Sequence, residues 1–191
     1  MKYRMLHHQA KHIDRLIDEN RHAAKAAFLT SDQLKTIVTT VYPDFYMESC
    51  GWHKIVFRNR LANHKVVLKV GPQRSIEADH SAYKRIPHSI RHRVFARLFW
   101  HTKYCLLQEY GEAAQVNAQE LNEIRRAVYR YGVFDIKAEN IKRINGMLKI
   151  IDANVAAVPV PTLMSLMDRL KAKLPEKLDE LLKLAGKLGG N

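Results

Sequence analysis

The chain has 191 residues, enough for one domain of ordinary size or a small two-lobed one. With 47% apolar and 27% charged residues it can bury a core, which excludes a disordered tail or linker. A formal net charge of +13, from 32 Lys and Arg against 19 Asp and Glu, favours anionic partners such as nucleotide, nucleic acid or acidic protein.

Residues 3–27 are polar and basic, with Met5, Ile13, Leu16 and Ile17 at helical spacing, and predict one amphipathic helix with a charged outer face. His8 and His12 would share a face of that helix. No carboxylate or cysteine completes a ligand set, so a solvated basic helix is expected there rather than a metal site. Ser31 is the expected N-cap of a second helix, SDQLKTIVTTVY, which Pro43 stops. The leading MKYRMLHHQAKHIDRL has no apolar signal-peptide core, and no run approaches membrane-spanning length. Cys50 and Cys105 fall in predicted strands without metal-ligand spacing, so a reduced, cytoplasmic setting is expected.

From Phe45 the pattern changes to short β-rich runs, FYMES, HKIVFRN and HKVVLKV, separated by Cys50-Gly51-Trp52 and Leu61-Ala62-Asn63. In Val66-Val67-Leu68-Lys69 a single lysine interrupts an apolar strand. The next predicted helix, RSIEADHSAYKRI, carries Glu77 and Asp79, which helix geometry sets about 200° apart, so only one can face Lys69. Two further strands are expected at Arg93–Trp100 and Tyr104–Tyr110, joined by His101-Thr102-Lys103. Asn117 and Glu120 form a capping-box pattern before the helix AQELNEIRRAVYRY, whose Leu121, Ile124, Ala127 and Val128 make an apolar stripe.

The stretch Tyr131–Asn154 holds the densest chemistry. Asp135, Lys137 and Asn140 form a D-x-K-x-x-N loop; an Asn145-Gly146 hairpin turn follows, and then an apolar strand ends at Asp152. After the VAAVPVP connector, TLMSLMDRLKAKL and PEKLDELLKLAGKL predict two helices, with Pro175 in the first turn of the second.

Over roughly residues 45–155 these features resemble the protein-kinase-like superfamily, in the form of a minimal member of the small bacterial or archaeal type. The D-x-K-x-x-N spacing, the hairpin, the strand ending in Asp152 and the V-V-L-K strand upstream carry that resemblance. It implies an α+β, two-lobed fold. A five-stranded antiparallel N-lobe with one inserted helix would span 45–111, and an abbreviated, mainly helical C-lobe 112–191. The helices of residues 1–44 would be an extension that braces the small lobe or builds a partner surface.

The resemblance also assigns roles. Asp135 would take the proton of the acceptor hydroxyl, Lys137 would steady the γ-phosphate, and Asn140 and Asp152 would ligate Mg²⁺. Lys69 would contact the phosphates of ATP and pair with a carboxylate of the following helix. Side-chain length favours Glu77 for that pair and periodicity favours Asp79, which leaves the choice open. Ser49 and Gly51 would stand in a phosphate loop that keeps one glycine. LLQEYGEA would be the interlobe hinge, with Gln108 at the gatekeeper position and backbone groups of Glu109 and Gly111 pairing with adenine.

Several parts of the family pattern are missing. Val133-Phe134 replace the His-Arg before the catalytic aspartate, and Asp152-Ala153-Asn154 replaces D-F-G. No A-P-E segment or long activation loop follows. The expected activity is an ATP- and Mg²⁺-dependent phosphotransferase with an open choice of acceptor, itself included. The alternatives are a nucleotide-binding pseudokinase and a basic nucleic-acid-binding module, the latter supported by charge alone. A protein partner would dock through the N- or C-terminal helices.

Overall fold

A computed structural model describes residues 3–51, 53–61 and 65–155. The two helices expected after the VAAVPVP connector lie outside the described residues, as do Trp52 and most of the Leu61-Ala62-Asn63 turn. The described chain is α+β, with five helices and an antiparallel five-stranded sheet.

Helix α1 spans Arg4–Ala24 and helix α2 spans Ser31–Val41. On α1 the buried residues are Ala10, Ile13 and Ile17, one stripe at helical spacing, whereas Met5 is exposed and does not join it. Each fully buried isoleucine contributes about 1.5–3 kcal/mol of apolar transfer. Polar anchors fix where α1 sits. Asp14 accepts from the Tyr104 and Lys103 backbone N–H groups and from the Thr102 hydroxyl, and Asp18 accepts from the Lys103 ammonium and the Tyr104 hydroxyl. The cap of α2 is Thr30 rather than Ser31: its hydroxyl accepts from Gln33 N–H, while the Gln33 side chain accepts from Thr30 N–H. The capping box requires Gln at the third helical position, and counting back from Gln33 selects Thr30.

Strands β1 (Phe45–Cys50), β2 (Ile55–Asn59), β3 (Val66–Val70), β4 (Leu98–His101) and β5 (Cys105–Glu109) form the sheet in the order β1-β2-β3-β5-β4. Helices α1 and α2 pack on it, and Ile13, Ile17, Val38, Phe45, Phe57, Leu68 and Leu107 share one apolar cluster.

Between β3 and β4 the chain makes two helices, not the single one expected: α3 (Gln73–Arg85) and α4 (His88–Val94). Arg93 and Val94 therefore end a helix instead of opening a strand. Phe95 and Ala96 then bridge to Ile150, with Ala96 N–H donating to the Ile150 carbonyl at 2.9 Å, before β4 begins at Leu98. The apolar alternation of Val94–Trp100 serves two partners in turn, which one continuous strand would not.

The remaining described elements are β6 (Glu112–Ala113), α5 (Ala118–Tyr129), β7 (Val133–Phe134), a 3₁₀ turn at Ala138–Asn140, β8 (Ile141–Ile144), β9 (Met147–Ile150) and β10 (Asn154–Val155). The Asn117–Glu120 capping box opens α5 as expected. Asn145 and Gly146 join β8 to β9 with φ of 51° and 79°, the left-handed pair a two-residue hairpin needs. A second apolar cluster gathers Ala82, Ile86, Phe95, Val128, Val133, Ile136, Ile141 and Ile150 from α3, α5 and these strands.

Candidate functional site

A cleft of about 680 Å³ lies between the β1–β2 turn, β3 and α3 on one side and the 135–154 segment on the other. Ser49, Gly51, Lys54, Lys69, Asp135, Lys137, Asn140 and Asp152 all line it. Secondary structure accounts for their convergence. β7 pairs with β10 (Val133 opposite Val155, Phe134 opposite Asn154), which holds Asp135 beside the residues that follow Asp152. The β8–β9 register sets Ile141 opposite Ile150, so Asn140 and Ile151 face each other and Ile151 N–H donates to the Asn140 carbonyl at 2.8 Å. Lys69 reaches the same place from β3, paired in register with Val56 and Leu106.

Lys69 is almost fully buried and its ammonium donates to Asp79 Oδ2 at 3.1 Å and to the Ile151 carbonyl at 2.6 Å. The carboxylate partner is Asp79; Glu77 points outward and accepts from the Gln73 side chain. Helix phase decides this. Ile76, Asp79 and Ala82 form the buried face of α3, and a longer glutamate reach at position 77 does not compensate for facing solvent. Burial raises the Asp79 carboxyl from its usual range, and the Lys69 and Lys54 ammoniums oppose that rise.

Lys54, absent from the expected site, is its second cation and is partly buried. Its ammonium donates to Asp79 Oδ1 at 2.7 Å and to Asp152 Oδ1 at 3.0 Å. Burial works against the Lys54 charge, but the Asp79 and Asp152 carboxylates outweigh it and hold its pKa above the ordinary lysine value. At Asp152 burial would raise the carboxyl; the Lys69 and Lys54 ammoniums overcome this and hold it at about 2. Two ammoniums and two carboxylates thus close a charge-balanced quartet at the centre of the cleft.

Asp135 has φ of 58°, a left-handed conformation that aspartate tolerates better than most residues. Its Oδ2 accepts from the Asn154 amide at 3.0 Å, and its Oδ1 lies 3.7 Å from the Lys137 ammonium. Both side chains are open to solvent, which suits groups that meet a substrate from outside.

Glu109 and Gly111 are not brought to this cleft. Glu109 N–H donates to the Arg97 carbonyl, and its carboxylate accepts from Arg97 N–H at 3.2 Å. Gly111 is packed under β8, where a Cβ would stand 2.5 Å from the Lys142 Cβ. Gln108 does not line the cleft either. It is buried on the same sheet face as Lys69, since it follows Leu106 by two residues, and its Oε1 has no partner among the described residues. Among the described residues no group of three or more His, Cys, Asp and Glu side chains is arranged to hold a metal, which includes His8 and His12.

Gly71 is a second residue with no obvious sequence signal. A Cβ there would stand 2.4 Å from the His53 carbonyl oxygen and 2.9 Å from Lys54 Cγ. Gly71→Ala is therefore expected to push the 53–54 turn away and to cost about 1–3 kcal/mol in chemical denaturation. A variant as stable as the wild type would show that the turn moves freely.

Comparison with family models and with curated proteins finds no significant match.

Proposed function

We propose that the cleft binds a nucleoside triphosphate with Mg²⁺ and transfers its terminal phosphoryl group to a hydroxyl, in a two-lobed, kinase-like arrangement. The observation that carries this reading is the buried Lys69–Asp79 pair beside Asp152 and Asn140 in one cleft that Asp135 also lines. In the reading, Lys69 holds phosphate oxygens, Asp135 accepts the hydroxyl proton, and the P–O bond to the new oxygen forms as the bond to the diphosphate breaks. Lys137, exposed and adjacent, meets the charge of the transferred group.

The donor set suits Mg²⁺. Asp152, ionised and about one-third exposed, and the Asn140 carboxamide offer two hard oxygen donors, as many as Mg²⁺ often takes from protein when phosphates and water complete its shell. When bound, the ion would neutralise phosphate charge. The base would lie toward Val56, which lines the cleft beside Lys69 on the same face of the sheet.

One observation favours the alternative of a nucleotide-binding protein without turnover: Lys54 stands where the family pattern has its third loop glycine, and it already pairs with Asp152. Thermal melting separates the readings from a nucleic-acid module. ATP with Mg²⁺ at about a hundred times its Kd should stabilise the folded chain by about 2.7 kcal/mol, a rise of about 5–11 °C for a chain of this size. No shift with or without Mg²⁺ would remove both nucleotide readings.

A further inference from the structure

Lys54 has no role in the phosphotransfer reading above, yet it is the most constrained cation of the β1–β2 turn. Its side chain is 13% exposed, and its ammonium spans Asp79 at 2.7 Å and Asp152 at 3.0 Å. Asp79 is already matched by Lys69 on its other oxygen, so Lys54 is not needed to neutralise it. What Lys54 adds is a positive charge on Asp152, the carboxylate that faces the cleft. The quartet of Lys54, Lys69, Asp79 and Asp152 sums to zero. A divalent cation arriving alone at Asp152 would meet an ammonium already there and leave the quartet with two uncompensated positive charges. Phosphate anions entering with the cation remove that excess.

The backbone at Gly51, His53 and Lys54 is held, since Gly51 N–H donates to the Lys54 carbonyl at 2.9 Å and Gly71 lies close against the His53 carbonyl oxygen and Lys54 Cα. Movement is left to the part of the side chain beyond Cγ, which swings a point charge between carboxylate and phosphate. Backbone N–H groups of a glycine-rich loop are the usual phosphate donors at such a turn; here Ser49, Cys50 and Lys54 leave only Gly51 among the candidate glycines.

We propose that Lys54 is a built-in counter-ion of the site: it keeps Asp152 from a divalent cation alone and turns onto the phosphates when cation and nucleotide enter together. Metal and nucleotide then bind as a unit, and a side-chain ammonium takes the place of the phosphate-binding N–H groups that the loop lacks. This rests on the Mg·nucleotide reading of the same cleft.

The test uses the full chain with Lys54→Met, which keeps the stem and removes the charge, and Lys54→Arg, which keeps the charge. Mn²⁺ alone is titrated by electron paramagnetic resonance, and ATP in EDTA by calorimetry. Lys54→Met is expected to bind Mn²⁺ at least tenfold more tightly than the wild type and metal-free ATP at least fivefold more weakly. Lys54→Arg should stay within about threefold of the wild type in both assays. Opposite movement of the two affinities is something a misfolded variant cannot produce. If both affinities of Lys54→Met fall together, or neither moves while ATP still binds, the counter-ion role is wrong and the phosphotransfer reading survives. If ATP binds neither wild type nor Lys54→Met, with or without Mg²⁺, both ideas fall.

Discussion

Asp79→Ala is expected to lower the stability of the fold by about 3–5 kcal/mol, the cost of breaking a buried ion pair from one side. Lys69 would keep its charge in a site where it is 3% exposed, with the Ile151 carbonyl as its remaining hydrogen-bond partner. Lys54 would keep only Asp152. For a chain of this length the loss corresponds to a fall in Tm of about 6–20 °C, against a total stability on the order of 5–15 kcal/mol. Glu77→Ala is the matched control. It removes an exposed contact to Gln73 and should move stability by no more than about 0.5 kcal/mol. Removing both charges of the pair, as in Lys69→Met with Asp79→Leu, should recover part of the loss, because the cost lies in the orphaned ammonium rather than in the missing attraction. Equal effects of Asp79→Ala and Glu77→Ala in urea denaturation would contradict the pairing seen here.

The contrast between residues 77 and 79 shows where sequence reasoning reached its limit. The positions of Asn140 and Asp152 were readable because hairpin geometry is local: an Asn-Gly turn and a strand of fixed length bring Asn140 opposite Ile151 with no help from distant residues. Lys69 was readable for the same reason, as a lone charge in an apolar strand. The phase of α3 was not decided that way. Periodicity did point at the Ile76–Asp79–Ala82 face, but the length of glutamate argued against it, and only the packed helix settles which matters.

Helix α4 escaped notice because His88–Val94 offers only Ile90 and Val94 as an apolar pair, both partly buried, too short a period to separate from a strand. Lys54 and Gly71 escaped because their roles are entirely tertiary. The one reaches a carboxylate 98 residues away; the other is small because the Lys54 stem crosses over it. Glu109 and Gly111, assigned by position alone, are not among the residues that line the cleft. Backbone recognition carries no side-chain signature, so nothing in LLQEYGEA bears on that assignment. The N-terminal helices, by contrast, were underread. Asp14 and Asp18 look like ordinary surface acids in sequence, yet they clamp the turn before β5 and seat α1 in the core of the sheet.

Asp135→Asn separates turnover from binding. Under the proposed function the carboxylate accepts the acceptor proton, and its replacement by an amide of the same shape should lower transfer from γ-labelled ATP by about 10²–10⁴-fold. The stabilisation by Mg·ATP should remain, because Asp135 stands apart from the Lys54–Lys69–Asp79–Asp152 quartet. Asp152→Asn should do the reverse at the first step, removing the Mg²⁺-dependent part of the thermal shift. Asn154 gives the finer test. It occupies the position where the family pattern has glycine, and its amide holds Asp135 Oδ2 at 3.0 Å, so Asn154→Ala should free the carboxylate and lower turnover by less than Asp135→Asn does. Exposure explains why the acid needs such support: with its side chain 41% open and only Lys137 otherwise nearby, Asp135 would sample several rotamers while the nucleophile waits. A wild type that transfers label no faster than Asp135→Asn, while both still bind Mg·ATP, would leave this cleft a nucleotide sensor in which its polar side chains serve binding alone.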